Sequence, residues 1–233
     1  MTAILFVSYN RLEYTRQSFT ALLANTGWGA VDQLYVADDG SEDGTREWLR
    51  EQLDASGLDW TFRTEPFGGP VAAMLWLLER IPAESAFAKI DNDVIVPPGW
   101  LAQAEAAAEW LAADCDVLGL GYREEPDPRL EAARRVEWAR HIGGVGLIRK
   151  RVFNVCRPVA NGRFGFTEWQ EHREALGKGW LTPPLPLFEL DRIPVGVGPW
   201  RALAKTYERK GWQRLWPEYP PEASAYWSWW QSV

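Results

Sequence analysis

The chain has 233 residues, 46% hydrophobic and 24% charged, an ordinary globular composition that excludes a disordered or fibrous protein. A net charge of −7, a pI near 5.0 and no long basic run argue against a nucleic-acid partner, which needs a positive footprint. Cys115 and Cys156 read as reduced core thiols, and His141 and His172 are too few and too separated for a His-rich metal site.

In chain order, residues 3–8 (AILFVS) read as a buried strand and residues 12–24 as a helix. Residues 33–37 (QLYVA) form the second strand. Residues 45–53 form a helix that Ser41 or Asp43 could cap. Residues 59–64 are a third strand. A helix over 71–80 starts just after the turn Gly68-Gly69-Pro70. Residues 86–90 (AFAKI) are the next strand, and Pro97-Pro98-Gly99 breaks the chain before an Ala-rich helix over 100–113.

Residues 116–121 read as a strand, 126–140 as a charged helix or loop, and 145–149 as a strand. Helical patterns begin at 151–155, 168–176 and 201–210, and residues 183–199, rich in Pro and Gly, read as a loop across the sheet face. Strands alternating with helices predict an α/β fold with a mostly parallel central sheet flanked by helices. Trp212, Trp216, Trp227, Trp229 and Trp230 crowd the tail. Their rings pack back onto the domain, stack on sugars, or form a patch for peripheral membrane contact. No apolar stretch approaches the roughly 18 residues of a membrane span. No signal-peptide pattern precedes the first strand, so the expectation is a soluble, cytoplasmic protein.

Three polar clusters follow apolar strands directly. They are Ser8-Tyr9-Asn10, Asp38-Asp39-Gly40-Ser41 and Asp91-Asn92-Asp93. In open α/β sheets the carboxyl edge of the strands is where ligands bind. Two carboxylates one residue apart can direct oxygens to one side, which suits Mg²⁺ or Mn²⁺ shared with a diphosphate. Asp91 and Asp93 are the candidate ligands. Asp38 and Asp39 are candidates to accept hydrogen bonds from the edge of a nucleobase. Gly68 and Gly69 would let the backbone approach a donor closely, ahead of a helix N-terminus that favours an anion.

The run from Ile4 to Arg11 (ILFVSYNR) resembles the opening strand of family 2 glycosyltransferases of the GT-A fold. The run from Val36 to Thr45 (VADDGSEDGT) resembles that family too, as does Lys89 to Pro97 (KIDNDVIVP), its metal-binding segment. Gly143 to Lys150 (GGVGLIRK) is similar to its acceptor-side strand.

The resemblance implies one GT-A domain over residues 1–233. Residues 1–115 would form the nucleotide-sugar half, 116–200 the acceptor half, and 201–233 a C-terminal helix and Trp-rich tail. It implies a metal-dependent, inverting hexosyl transfer from a UDP- or GDP-sugar to the hydroxyl of a glycan or small molecule. Mn²⁺ or Mg²⁺ would be the cofactor. Ser8, Tyr9, Asn10, Asp38, Asp39, Gly68, Gly69, Asp91 and Asn92 fall in donor-binding positions. Glu168, in Gly165-Phe166-Thr167-Glu168-Trp169, matches the position of the base that deprotonates the acceptor. Trp169 replaces the acid expected beside it, so Glu171, about one helical turn on, is the other candidate.

Two further departures stand out. Ala73-Met74-Leu75 replaces the Arg-Asn pair often found after the glycine turn. Phe188-Glu189-Leu190-Asp191-Arg192 stands where relatives carry a metal-ligating His, so Asp191 or Glu189 would substitute. Competing readings are a non-catalytic nucleotide-sugar or glycan binder, a sugar nucleotidyltransferase, and a phosphoacceptor domain. The Ser8–Arg11 loop lacks the glycines of a nucleotidyltransferase. A phosphoacceptor domain is shorter and carries its acidic pair after the first strand.

Overall fold

The structure is a computed structural model that describes residues 2–82, 85–110, 116–120, 136–138, 145–151, 178–181 and 187–189. The chain enters through β1 (Thr2–Ser8), buried along its length, and continues through α1 (Leu12–Asn25), β2 (Val31–Asp38) and α2 (Thr45–Ser56). It then forms β3 (Trp60–Thr64), α3 (Pro70–Leu78), β4 (Ala86–Asp91), β5 (Val94–Ile95) and α4 (Trp100–Trp110). Short strands follow: β6 (Val117–Gly119), β7 (Val136–Trp138), β8 (Gly146–Arg149), β9 (Lys178–Leu181) and β10 (Phe188–Glu189).

Eight strands form one sheet in the order β3-β2-β1-β4-β8-β6-β9-β7. The first four are parallel to one another, β8 runs antiparallel to both β4 and β6, and β7 runs antiparallel to β9. β6 and β9 are parallel as well, so the sheet is mostly parallel, as expected, with β8 and β7 as its antiparallel members.

The period-2 pattern of the strands sorts side chains onto two faces. Ile4, Phe6, Leu34, Val36, Ala88 and Ile90 pack with Phe19 and Leu22 of α1, Leu49 and Leu53 of α2, and Trp100 and Ala104 of α4. Ala3, Leu5, Val7, Tyr35, Ala37 and Phe87 pack with Val71, Met74 and Leu77 of α3 on the other face. β1 lies between β2 and β4; α1, which leaves β1 for β2, covers one face, and α3, which leads into β4, covers the other. That is the topological switch point, where α/β sheets open a crevice at their carboxyl ends.

Several expectations are corrected here. Residues 136–138, expected in a charged helix or loop, form the edge strand β7. Val-Glu-Trp alternates and joins the sheet through β9, a pairing no local pattern announces. Within the expected loop over 183–199, Phe188 and Glu189 pair antiparallel with Ile95 and Val94. The cap of α2 is also settled. Gly44, at φ 92°, is the N-cap, and Asp43 accepts the Thr45 N–H at 3.1 Å, while Ser41 bonds elsewhere. The expected helices at 168–176 and 201–210, both cysteines, both histidines and the tail tryptophans lie outside the described residues. No helix among the described residues is long and apolar enough to cross a membrane.

Candidate active site

The three polar clusters meet at one edge because β1, β2 and β4 are neighbours in register. Ser8 lies beside Asp38, Asp38 beside Thr64, and Val7 beside Asp91. This alignment explains the surroundings of Asp38, which is fully buried. Its Oδ2 accepts from Ser8 Oγ (2.9 Å) and Ser41 Oγ (2.5 Å); its Oδ1 accepts from Ser41 N (2.9 Å) and Thr64 Oγ1 (3.0 Å). A carboxylate so engaged ties three strand ends together and has turned away from any base edge. Ser8 is likewise buried and given to Asp38.

Asp39 takes the outward position. Its N–H bonds Ser8 O at 2.9 Å, and its Oδ1 accepts the Gly68 N–H at 2.8 Å. That bond draws the glycine turn to the same edge, with Gly68 and Gly69 at φ 84° and 121°. Such torsions suit residues without a Cβ, and Pro70 then opens α3 in the first helical turn. Tyr9, between the strand and the loop, is 58% exposed.

Asn10 and Arg11 both have left-handed backbones, at φ 49° and 65°. Asn10 tolerates this because its side chain bonds locally. Asn10 N donates to Ser41 Oγ at 2.7 Å, and Asn10 Oδ1 accepts the Glu42 N–H at 3.0 Å. Asp43 closes the seam by accepting the Leu12 N–H at 2.8 Å. Desolvation raises the Asp43 pKa, but hydrogen bonds from the Thr45 hydroxyl and the Leu12, Thr45 and Asp43 N–H groups outweigh it, so the net shift is downward.

The Asp91-Asn92-Asp93 turn is bolted to α1. Ser18 Oγ donates to Asp91 O (3.1 Å) and Val94 O (2.5 Å). The buried Asn92 amide donates to Asn10 O (3.1 Å) and Thr15 Oγ1 (3.0 Å). Asn92, expected to touch the donor, therefore points into the protein. Asp91 and Asp93 remain at the edge, and each faces a cation of the chain. Lys89 Nζ bonds Asp91 Oδ1, and Arg11 Nη1 lies 3.4 Å from Asp93 Oδ2. Sequence reading missed Lys89, although a lysine inside an apolar strand two residues before an aspartate was a visible signal. It also missed Arg11, Thr15 and Ser18, whose types say nothing of their partners.

Glu168, Glu171 and Asp191 lie outside the described residues. The backbone of β10 sets Glu189 opposite Val94, the residue after Asp93. This brings the segment that precedes Asp191 to the carboxylate turn.

A sheet with its switch point between β1 and β4, and with Tyr9, Asp39, the glycine turn, Asp91 and Asp93 at that carboxyl edge, is the architecture of the GT-A glycosyltransferases. Residues 3–169 match the family model described as glycosyl transferase family 2, and the chain belongs to that family. No curated protein matches the sequence.

Among solved structures, the chain is similar to TarS 1-349 of S. aureus in complex with UDP-GlcNAc (14% identity, TM-score 0.62, 80% of this chain and 57% of that one). It is also similar to the mannosyltransferase PcManGT from Pyrobaculum calidifontis in complex with GDP-Man and Mn²⁺ (17%, 0.63, 97% and 69%). A third is GalNAc-T7 with UDP, GalNAc and Mn²⁺ (12%, 0.62, 81% and 43%). The chain spans at most 60% of the TarS chains it matches. At these identities the likeness is one of fold.

Proposed function

We propose that this chain is a metal-dependent, inverting glycosyltransferase that moves a hexosyl unit from a UDP- or GDP-sugar to a hydroxyl acceptor. The observation that carries the reading is the convergence of Tyr9, Asp39, Asp91 and Asp93, at the ends of three adjacent parallel strands, on one edge of the sheet. Family membership sets the reaction class, and similar folds hold UDP-GlcNAc or GDP-Man.

In this reading Tyr9 lies against the base and Asp39 accepts from its edge, while Asp38 and Asn92 hold the frame. The backbone at Gly68 and Gly69 lies near the diphosphate. Asp91 and Asp93 would hold Mn²⁺ or Mg²⁺. Their hard oxygens fit such an ion, and no group of three metal-ligating side chains occurs among the described residues. Two protein carboxylates suit an ion that completes its shell with donor phosphates and water. Asp191, or Glu189, would supply a further ligand. The bound ion would neutralise charge on the departing nucleoside diphosphate.

Glu168 or Glu171 takes the proton of the acceptor hydroxyl. The acceptor oxygen then bonds to the anomeric carbon as the carbon–oxygen bond to the diphosphate breaks.

A thermal-shift screen of UDP, GDP and ADP with and without Mn²⁺ tests the reading. The expected result is a shift for one base that requires the metal. An Asp93→Ala variant is expected to keep its fold and lose that shift along with donor turnover. Wild-type turnover in Asp93→Ala would sink the metal role.

A further inference from the structure

The two cations that face the carboxylate turn are held differently. Lys89 is buried in mid-strand, on the same face of β4 as Asp91, and Gly146 stands opposite it in β8. Arg11 stands at the tip of the loop between β1 and α1. Its guanidinium lies 4.1 Å from the centre of the Tyr14 ring and 3.4 Å from Asp93, with the two charged side chains 18% and 21% exposed. A charge-assisted hydrogen bond is shorter, about 2.7–2.9 Å. The Arg11–Asp93 contact is therefore a longer ion pair between two mostly buried side chains.

The backbone beneath Arg11 is fixed by the bonds between Asn10 and Ser41 and between Glu42 and Asn10. A change of partner by this side chain would leave the loop in place. The helix after the glycine turn supplies no cation for a diphosphate, because Pro70–Leu78 contains no Lys or Arg.

We propose that Arg11 is a transferable counter-charge. It neutralises Asp93 while the donor site is empty and passes to the donor diphosphate when donor and metal bind together. The proposal rests on the reading above, that Asp91 and Asp93 take a divalent cation. A metal ion arriving alone has to send the guanidinium into water. With a diphosphate present, the released guanidinium gains phosphate oxygens, which suit its planar fork. Metal and diphosphate are then positively coupled, each tightening the other by the same factor.

Arg11→Met keeps the side-chain stem against Tyr14 and removes the charge. Mn²⁺ affinity is measured by electron paramagnetic resonance of the free ion, with and without the nucleoside diphosphate that gives the thermal shift. In the wild type the diphosphate is expected to tighten Mn²⁺ by about 5- to 150-fold, the usual span of coupled sites. Arg11→Met is expected to bind Mn²⁺ alone severalfold more tightly and to lose most of the coupling, and Arg11→Lys to restore part of it. Arg11→Met with unchanged or weaker affinity for Mn²⁺ alone, or with undiminished coupling, overturns the proposal while the metal reading stands. A wild type that binds no Mn²⁺ with any nucleoside diphosphate overturns the metal reading, and this proposal falls with it.

Discussion

Ser18, in the second turn of α1, donates its one hydroxyl towards the backbone carbonyls of both Asp91 and Val94, at 3.1 and 2.5 Å. A fully buried side chain far away in sequence thereby sets the curvature of the turn that presents the two carboxylates. Removing it takes a hydroxyl donor from both carbonyls, and the bond to Val94 is buried. Ser18→Ala is expected to lose about 1–3 kcal/mol, the cost of a buried group left unsatisfied. Chemical denaturation reads the loss, and Mn²⁺-dependent nucleotide binding is expected to weaken with it. Unchanged stability would show that the turn keeps its shape without the bolt.

Asp38 and Asp39 are adjacent in sequence and opposite in role, so their asparagine variants are expected to separate. Asp38→Asn puts an amide NH₂ or a neutral oxygen against Ser8, Ser41 and Thr64, where a buried carboxylate accepts four hydrogen bonds. The expected loss of stability is about 2–4 kcal/mol. Asp39→Asn keeps an oxygen for the Gly68 N–H and is expected to shift stability within about 0.5 kcal/mol. Its effect falls on the nucleotide, where losing a hydrogen bond to a charged acceptor costs roughly 1.5–3 kcal/mol, about 10- to 150-fold in affinity. Thermal melts and calorimetric titration with UDP and GDP check both halves. Equal stabilities for the two variants would remove the distinction.

The first four strands and their polar ends were legible because their signals are local. Apolar runs of strand length ended in Ser, Asp or Asn at Ser8, Asp38 and Asp91, and parallel strands carry their ends to one edge. The direction of each acid was not legible. Asp38 turns inward because Ser8 and Thr64 lie beside it in register, and register is a property of three strands together. The same holds for β7, β9 and β10, strands of two to four residues whose pairing depends on partners far along the chain. Asn92 carried a misleading signal, since a polar residue between two aspartates reads as part of the site until Thr15 and the Asn10 carbonyl are seen beneath it.

Asp43 joins the starts of α1 and α2 through Leu12 N and Thr45. Its folded-state pKa lies below the ordinary value because the hydrogen bonds favour the charged form. A depressed carboxyl contributes stability above its unfolded pKa, and that contribution is lost as pH falls through the lowered folded value. Asp43→Ala is expected to cost about 0.5–2 kcal/mol near neutral pH, towards the lower end because the residue is exposed and screened. The gap from wild type is expected to narrow as pH drops below about 4, the range where an ordinary aspartate takes up its proton. Urea melts of both proteins at several pH values give the comparison; a gap that stays constant to low pH would contradict the linkage.

Tyr9 separates binding from folding most cleanly. At 58% exposure its ring contributes little to the core, although it follows a fully buried strand. The loop that carries it is fixed independently, by Asn10 to Ser41 and by Leu12 to Asp43, so the backbone keeps its course without the ring. An exposed aromatic ring just past the Ser8–Asp38 pairing is suited to lie against a base. Stacking of this kind is worth about 1–3 kcal/mol per base where it has been measured by substitution. Tyr9→Ala is therefore expected to leave the melting temperature near that of the wild type and to weaken nucleoside diphosphate binding by roughly 5- to 150-fold. Tyr9→Phe, which keeps the ring face, is expected to restore most of the affinity. Loss of binding in Tyr9→Phe as large as in Tyr9→Ala would move the role from the ring to the hydroxyl and assign Tyr9 a hydrogen bond in place of a stack.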